Sequence, residues 1–160
     1  METSEMMEVL GRTPAGCHLV TVAAAGKVNG MPLSLFMPAS FKPPLVALGV
    51  APSRRTHSML AEARAFAVIF LRRDQKALVD RFKKKGDPDH KFEGIEWSPG
   101  RTGAPLLADC LGWLECKLTN RLEPGGDHTL FIGEVVAARL VKPGPILTLE
   151  DLGKVYTGPG

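Results

Sequence analysis

Between residues 19 and 50 short β-branched runs alternate with turn chemistry, and that rhythm restricts the chain to antiparallel β architecture. Leu19-Val20-Thr21-Val22 reads as a strand. Gly26-Lys27-Val28-Asn29-Gly30 has the residues of a hairpin connection. Residues 31–37 then read as the returning strand, with Pro32 inside it. A proline cannot donate to a ladder, so this strand belongs at a sheet edge or a bulge. Either leaves backbone groups free to meet a ligand.

Further along, the pattern persists with two helical excursions. Residues 4–10 read as a short helix starting at Ser4. Pro38, Pro43 and Pro44 bracket a connecting segment, and residues 45–50 form the next strand. Phe66-Ala67-Val68-Ile69-Phe70-Leu71 is continuously apolar, as expected of a strand covered on both faces. Asp74 is placed to cap a helix reaching about Lys84, with Leu78, Val79 and Phe82 on one stripe. Residues 85–105 are rich in Gly, Pro and charge and read as a long loop. Residues 111–122 alternate, with Leu114, Cys116 and Leu118 on one face and Trp113, Glu115 and Lys117 on the other. Glu123-Pro124-Gly125-Gly126-Asp127 turns the chain, and residues 128–140 return, with Gly133 a candidate bulge. Lys154-Val155-Tyr156 is a candidate last strand. The expectation is a mainly β fold with short helices, six or seven antiparallel strands in a closed or nearly closed barrel, as one domain over residues 1–160.

The composition narrows the function classes. The net charge of +3 is too small to argue for nucleic acid. No apolar stretch is long enough to span a membrane as a helix. Cys17, Cys110 and Cys116 read as reduced core residues, which together with the unremarkable N-terminal residues gives a reducing, cytoplasmic expectation. His18, His57, His90 and His128 are widely spaced and offer no metal-ligand pattern. No dinucleotide fingerprint, P-loop or nucleophile elbow occurs. Lys83-Lys84-Lys85 reads as a solvated helix end.

One segment does point to a ligand. Ser53-Arg54-Arg55-Thr56-His57 joins the 45–50 strand to a helix-like run. A helix N-terminus presents unpaired N–H groups and a positive dipole end, a natural anion site. Two guanidinium groups beside it would hold a phosphate bidentately. The plain alternative is that Thr56 caps the helix and the arginines are solvated. A phosphate turn, a ligand-accessible strand and little acid–base machinery suit a cofactor that brings its own chemistry.

Asn29-Gly30-Met31-Pro32-Leu33-Ser34, Pro38-Ala39-Ser40-Phe41-Lys42-Pro43-Pro44, Ser53-Arg54-Arg55-Thr56-His57, Lys91-Phe92-Glu93-Gly94, Gly103-Ala104-Pro105-Leu106-Leu107 and Gly126-Asp127-His128-Thr129-Leu130-Phe131 occur in this order. The ordered set resembles the flavin reductase-like, FMN-binding split-barrel family across roughly residues 8–158. The resemblance implies a dimeric split barrel with peripheral helices and FMN near the subunit interface. It also implies NADH or NADPH as donor and a downstream monooxygenase or redox protein as acceptor. Carried onto this chain, Met31, Pro32, Leu33 and Ser34, with Ala39 and Ser40, would lie along the isoalloxazine. Ser53, Arg54, Arg55 and Thr56 would take the phosphate. Positions 32 and 33 hold Pro and Leu where many relatives have Thr and Ala, and Lys154 stands where an aromatic is common.

The remaining candidates carry two readings each. His128 is either a turn histidine or a residue near the flavin or nicotinamide that orients a ligand or relays a proton. His57 is a helix N-terminal residue or an assisting phosphate contact. Asn29 is a turn residue or a cofactor contact. Lys91 is solvated or reaches the cofactor phosphate. Ser34 and Ser40 are barrel hydroxyls or ring contacts, and Trp113 packs rather than stacks. Three activities follow: an NAD(P)H-dependent flavin reductase, an FMN electron carrier without nicotinamide turnover, and a module binding another phosphorylated ligand.

Overall fold

A computed structural model describes residues 3–84 and 88–158. After helix α1 (Thr3–Leu10) come β1 (His18–Ala24), β2 (Lys27–Leu33), β3 (Phe36–Phe41) and β4 (Pro44–Val50), then α2 (Arg55–Ala63) and β5 (Ala65–Phe70). A 3-10 turn (Arg73–Gln75) leads into α3 (Lys76–Lys83). A second 3-10 turn (Pro88–Phe92) precedes β6 (Trp97–Pro99), β7 (Pro105–Leu107), β8 (Gly112–Leu122) and β9 (Thr129–Leu140). Seven strands form one antiparallel sheet in the order β2-β1-β5-β8-β9-β4-β3, and β6 and β7 form a separate ribbon.

The sheet curls without closing. Its rims, β2 and β3, are not hydrogen-bonded to each other, so of the two expected forms, closed or nearly closed, the sheet takes the open one. Met31 and Leu33 of β2 nevertheless share a core with Val46, Leu48 and Val50 of β4, which bends the rims toward each other. Pro32 sits on one rim, as its missing N–H requires, and Pro38 on the other. The 31–37 segment is not one strand. It breaks at Ser34-Leu35, where Gly49 N–H donates to the Leu35 carbonyl at 2.8 Å, and the chain then doubles along β4 as β3. The bulge between Pro38 and Ser40 lets this proline-bearing strand stay paired.

Two layers of apolar side chains flank β1 and β5. Leu19, Ala67 and Ile69 pack outward against Val79 and Phe82 of α3. Val20, Val22, Phe66 and Val68 pack inward with Met59 and Leu60 of α2 and with Phe131 of β9. Burial on both faces is what the unbroken apolar run of β5 predicts. Trp113 packs against the outer layer, and all three cysteines are buried free thiols.

The 85–105 stretch is more ordered than its composition suggests in its described part. The β6–β7 ribbon and its connection cover one face of β8. There Glu115, 1% exposed, accepts hydrogen bonds from Thr102 N–H at 3.0 Å and from Thr102 Oγ1 at 2.8 Å. Asp74 does not cap α3. The buried Arg72 guanidinium claims its carboxylate at 3.1 Å and that of Asp109 at 2.9 Å, and the Gln75 side chain accepts from Arg72 N–H at 3.0 Å instead. Residues 154–156 are not a strand. Lys85 lies outside the described residues.

His18 is buried between Phe36 and Phe70, with ring centroids 5.0 and 4.5 Å away. Its Nδ1 has no hydrogen-bond partner. Burial lowers its pKa from 6.5 to about 4. The unfolded chain therefore takes up this proton first on acidification. The contribution is intact above pH 6.5 and drains away as the pH falls toward 4, costing about 3 kcal/mol by the end. Urea midpoints at pH 7 and about pH 4.5 should separate more for the wild type than for His18→Phe. Equal separations would remove His18 as the cause.

Candidate functional site: an apolar groove opening into a basic pocket

Gly30 sets the site's floor. A Cβ there would lie 2.9 Å from the Phe82 ring, so only glycine lets α3 lie this close over β2. Next to it, Asn29 is 2% exposed and sits in the strand, not in a turn. Its Oδ1 accepts from Gly30 N–H at 2.8 Å and from Lys91 Nζ at 3.1 Å, while its Nδ2 donates to Thr56 Oγ1 at 3.3 Å. Lys91 Nζ also donates to the Gly30 carbonyl at 2.9 Å. One amide thus ties strand β2, helix α2 and the turn bearing Lys91 together.

Around this knot lies a cavity of about 240 Å³ lined by Asn29, Met31, Ser53, Arg54, Arg55 and Thr56 together with Lys84 and Lys91. Helix α2 opens onto it with Arg54 as N-cap and no side chain capping the first turn. The reading in which Thr56 caps the helix is corrected: Thr56 lies inside the helix and is engaged by Asn29. Burial, and then repulsion from Arg54 and Arg55, lower the Lys91 pKa to about 8. Among the described residues lining the cavity there is no Asp or Glu. Four crowded cations without a counter-charge are what a pocket for an anion looks like before the anion arrives.

A second cavity of about 410 Å³ adjoins it, sharing Met31 and Arg54. One wall is the rim segment Met31, Pro32, Leu33, Ser34 and Leu35, and the other comes from the C-terminal segment with Leu149, Leu152, Val155 and Tyr156. Cys17 lies at its base, where burial raises the thiol pKa to about 11 and keeps it protonated. An apolar slot joined to a cation-lined end fits a molecule with a flat ring at one end and a phosphate at the other, and the volumes are of the order of ligand sites.

The structure gathers most of the predicted residues. Asn29, Met31, Ser53, Arg54, Arg55, Thr56 and Lys91 line the basic pocket, and Met31, Pro32, Leu33, Ser34 and Arg54 line the groove. His57 lines neither cavity. Its Nε2 meets Thr129 Oγ1 at 2.8 Å, its ring packs on Phe131, and burial followed by repulsion from Arg121 lowers its pKa. Ala39 and Ser40 also line neither cavity and lie on the β3 rim. His128 is not in the groove itself. It reaches the groove through Tyr156, whose hydroxyl lies 2.7 Å from His128 Nε2, while Asp127 Oδ1 lies 2.8 Å from Nδ1. Sequence reasoning missed Lys83, Lys84 and Tyr156 as lining residues and noted Lys154 only as standing where relatives have an aromatic. The one signal for Lys83 and Lys84 was the lysine run, read as a solvated helix end.

Comparison with known proteins agrees with this geometry. Residues 10–157 match the flavin reductase like domain family. The reductase component of 4-hydroxyphenylacetate 3-monooxygenase from Thermus thermophilus is 36% identical over 146 residues, covering 91% of each chain. The NADH-dependent FAD reductase of Streptomyces globisporus is 35% identical over 137 residues, covering 84% of this chain and 74% of that one. A crystal structure of the Streptomyces globisporus NADH:FAD oxidoreductase SgcE6 with NAD and FAD fragments superposes with a TM-score of 0.84 at 30% identity, over 97% of this chain and 92% of that one. Some relatives are longer, and the chain spans only 42% and 56% of two from Rhizobium meliloti. With the match over residues 10–157 taking in every lining residue of groove and pocket but Gly158, the chain belongs to the flavin reductase-like domain family.

Proposed function

We infer that this protein is a flavin reductase that holds FMN in the groove and pocket and uses NADH or NADPH as donor. The continuity of the apolar groove with the acid-free basic pocket through Met31 and Arg54 carries this reading. A bound flavin would supply the redox chemistry, as acceptor of a hydride from reduced nicotinamide. Arg54, Arg55 and Lys91 bind the phosphate, and Asn29 holds the Lys91 ammonium in place. The rim 31–34 would support one face of the ring and leave the other open to the nicotinamide, with Leu149, Leu152 and Val155 forming the apolar wall across the groove. His128 acts on the groove only by fixing the Tyr156 hydroxyl, so its role is positioning.

The reading extends to a homodimer in which the β3 rim, with Ala39 and Ser40, meets a second copy near the ring. A separate flavin-dependent monooxygenase is the natural acceptor, as the name of the Thermus thermophilus relative suggests. Three unpaired buried thiols suit a reducing compartment such as the cytoplasm. Among the described residues no helix is long and apolar enough to cross a membrane.

The protein should purify yellow or bind FMN with quenching of flavin fluorescence. Anaerobic stopped-flow mixing of the FMN-loaded protein with NADH should bleach the flavin absorbance on the timescale of turnover. Bleaching only by a protein donor would make it an electron carrier, and no flavin binding at all would end the flavin reading.

A pH dependence follows from Lys91. Its pKa of about 8 without ligand rises once a phosphate dianion lies beside it, so binding takes up a proton. FMN affinity should fall as the pH rises through 8, and Lys91→Met should bind more weakly at pH 7 while flattening that decline.

A further inference from the structure

The groove carries more positive charge than a flavin ring needs. Lys83, the last residue of α3, and Lys154, in the C-terminal segment, both line it along with Arg54. The two ammonium groups stand near enough to repel each other. Repulsion by Lys154 and by Arg54 also bears on the Lys83 ammonium, and only Asp80, one turn earlier on α3, opposes it. Lys154, although exposed, also acts electrostatically on the buried Cys17 thiol. No Asp or Glu lines the groove among its described residues.

The dipole of α3 favours a cation at Lys83 but gives no reason for a second one beside it from an irregular segment. Nor does the flavin phosphate need the pair. A phosphomonoester carries roughly 1.5 to 2 negative charges, and Arg54, Arg55, Lys84 and Lys91 already surround its pocket. Arg54 stands in both cavities, so the cations form one continuous rail from the phosphate pocket into the groove. A ligand with a single phosphate leaves the outer half of that rail unmatched. A dinucleotide, with its diphosphate, does not.

Resting on the flavin reductase reading, we propose that Lys83 and Lys154, backed by Arg54, form a second phosphate site that takes the diphosphate of a dinucleotide and fastens the C-terminal segment across it. The neighbouring ammonium groups then share one anion and no longer oppose each other. Two ligands bring this chemistry: a flavin dinucleotide, or the nicotinamide dinucleotide crossing the groove. The site discriminates dinucleotides from mononucleotides in either case.

The test uses the full chain with Lys83→Gln and Lys154→Gln combined, at low salt. Flavin fluorescence quenching gives the affinity for FAD relative to FMN. Steady-state kinetics give KM for NADH relative to reduced nicotinamide mononucleotide. At least one ratio should shift against the dinucleotide by about ten-fold, and the Lys83→Arg, Lys154→Arg pair should restore it. A shift confined to the flavin ratio assigns the site to FAD, and one confined to the nicotinamide ratio assigns it to NADH. Both ratios staying within about two-fold of wild type overturns the proposal, whether the four ligands are unaffected or all weakened equally. If the wild type binds no flavin, the underlying reading fails instead, and the two failures are distinct.

Discussion

Arg54→Ala should weaken FMN binding by roughly 30- to 100-fold at low salt, more than the loss of any apolar residue of the groove. A flavin ring burying ~200 Å² contributes about 5 kcal/mol at ~25 cal/mol per Å². A micromolar site needs about 8 kcal/mol, and association has its own cost. The phosphate contacts must supply the rest, at ~1.5–3 kcal/mol for each charge-assisted hydrogen bond. Among the described residues Arg54 is the one cation that lines both cavities, and it also stands at the N-cap of α2. Arg55 lines only the pocket, so Arg55→Ala should cost about ten-fold. Fluorescence titration of both variants decides the matter. An Arg54→Ala affinity near that of wild type would move the phosphate elsewhere. Added salt should narrow the difference between variant and wild type, because part of the attraction is screened.

The second large effect lies in the core. Phe66 is fully buried on the inner face of β5, and its ring passes over Gly133 of β9, where a Cβ would fall 2.6 Å from the ring and 3.0 Å from Cys116 Cβ. Phe66→Ala should destabilise the fold by about 3–5 kcal/mol, from lost burial and the cavity left behind. Gly133→Ala should cost about 1–3 kcal/mol through overpacking. The two changes should not add: with the ring gone, the alanine methyl at 133 has room, and most of its penalty disappears. Urea unfolding of the two single variants and the double variant measures the coupling, and simple additivity would mean that the ring is not what excludes a side chain at 133.

Local chemistry made part of this protein readable from its sequence. Pro32 announces a rim because a missing donor is visible in one residue. The two-faced burial of β5 shows as an unbroken apolar run. The turn at 53–57 shows as arginines placed where a helix begins. What escaped depends on residues far apart in the chain. The Ser34-Leu35 corner has neither Gly nor Pro and is made by the Gly49–Leu35 hydrogen bond, so periodicity ran two strands together. Prolines at 38 and 43–44 suggested a connection, yet β3 tolerates Pro38 at a bulged rim. Asn29 reads as a turn residue beside glycine, and only the arrival of Lys91 and Thr56 explains its burial. Lys83 and Lys154 are 71 positions apart by number and meet only because the C-terminal segment folds back over the groove. No pattern within either segment records that meeting.

The prolines on the outermost strands limit how copies of this molecule associate. An incoming strand that tried to lengthen the sheet at either border would find the repeat of donors interrupted at Pro32 or Pro38. In the proposed homodimer the two copies would therefore be steered to join through side chains, and Met37 and Phe41, 57% and 83% exposed on the β3 border, are well placed to supply them. A pairing of that kind fixes its own stoichiometry, whereas border-to-border growth has no natural stopping point.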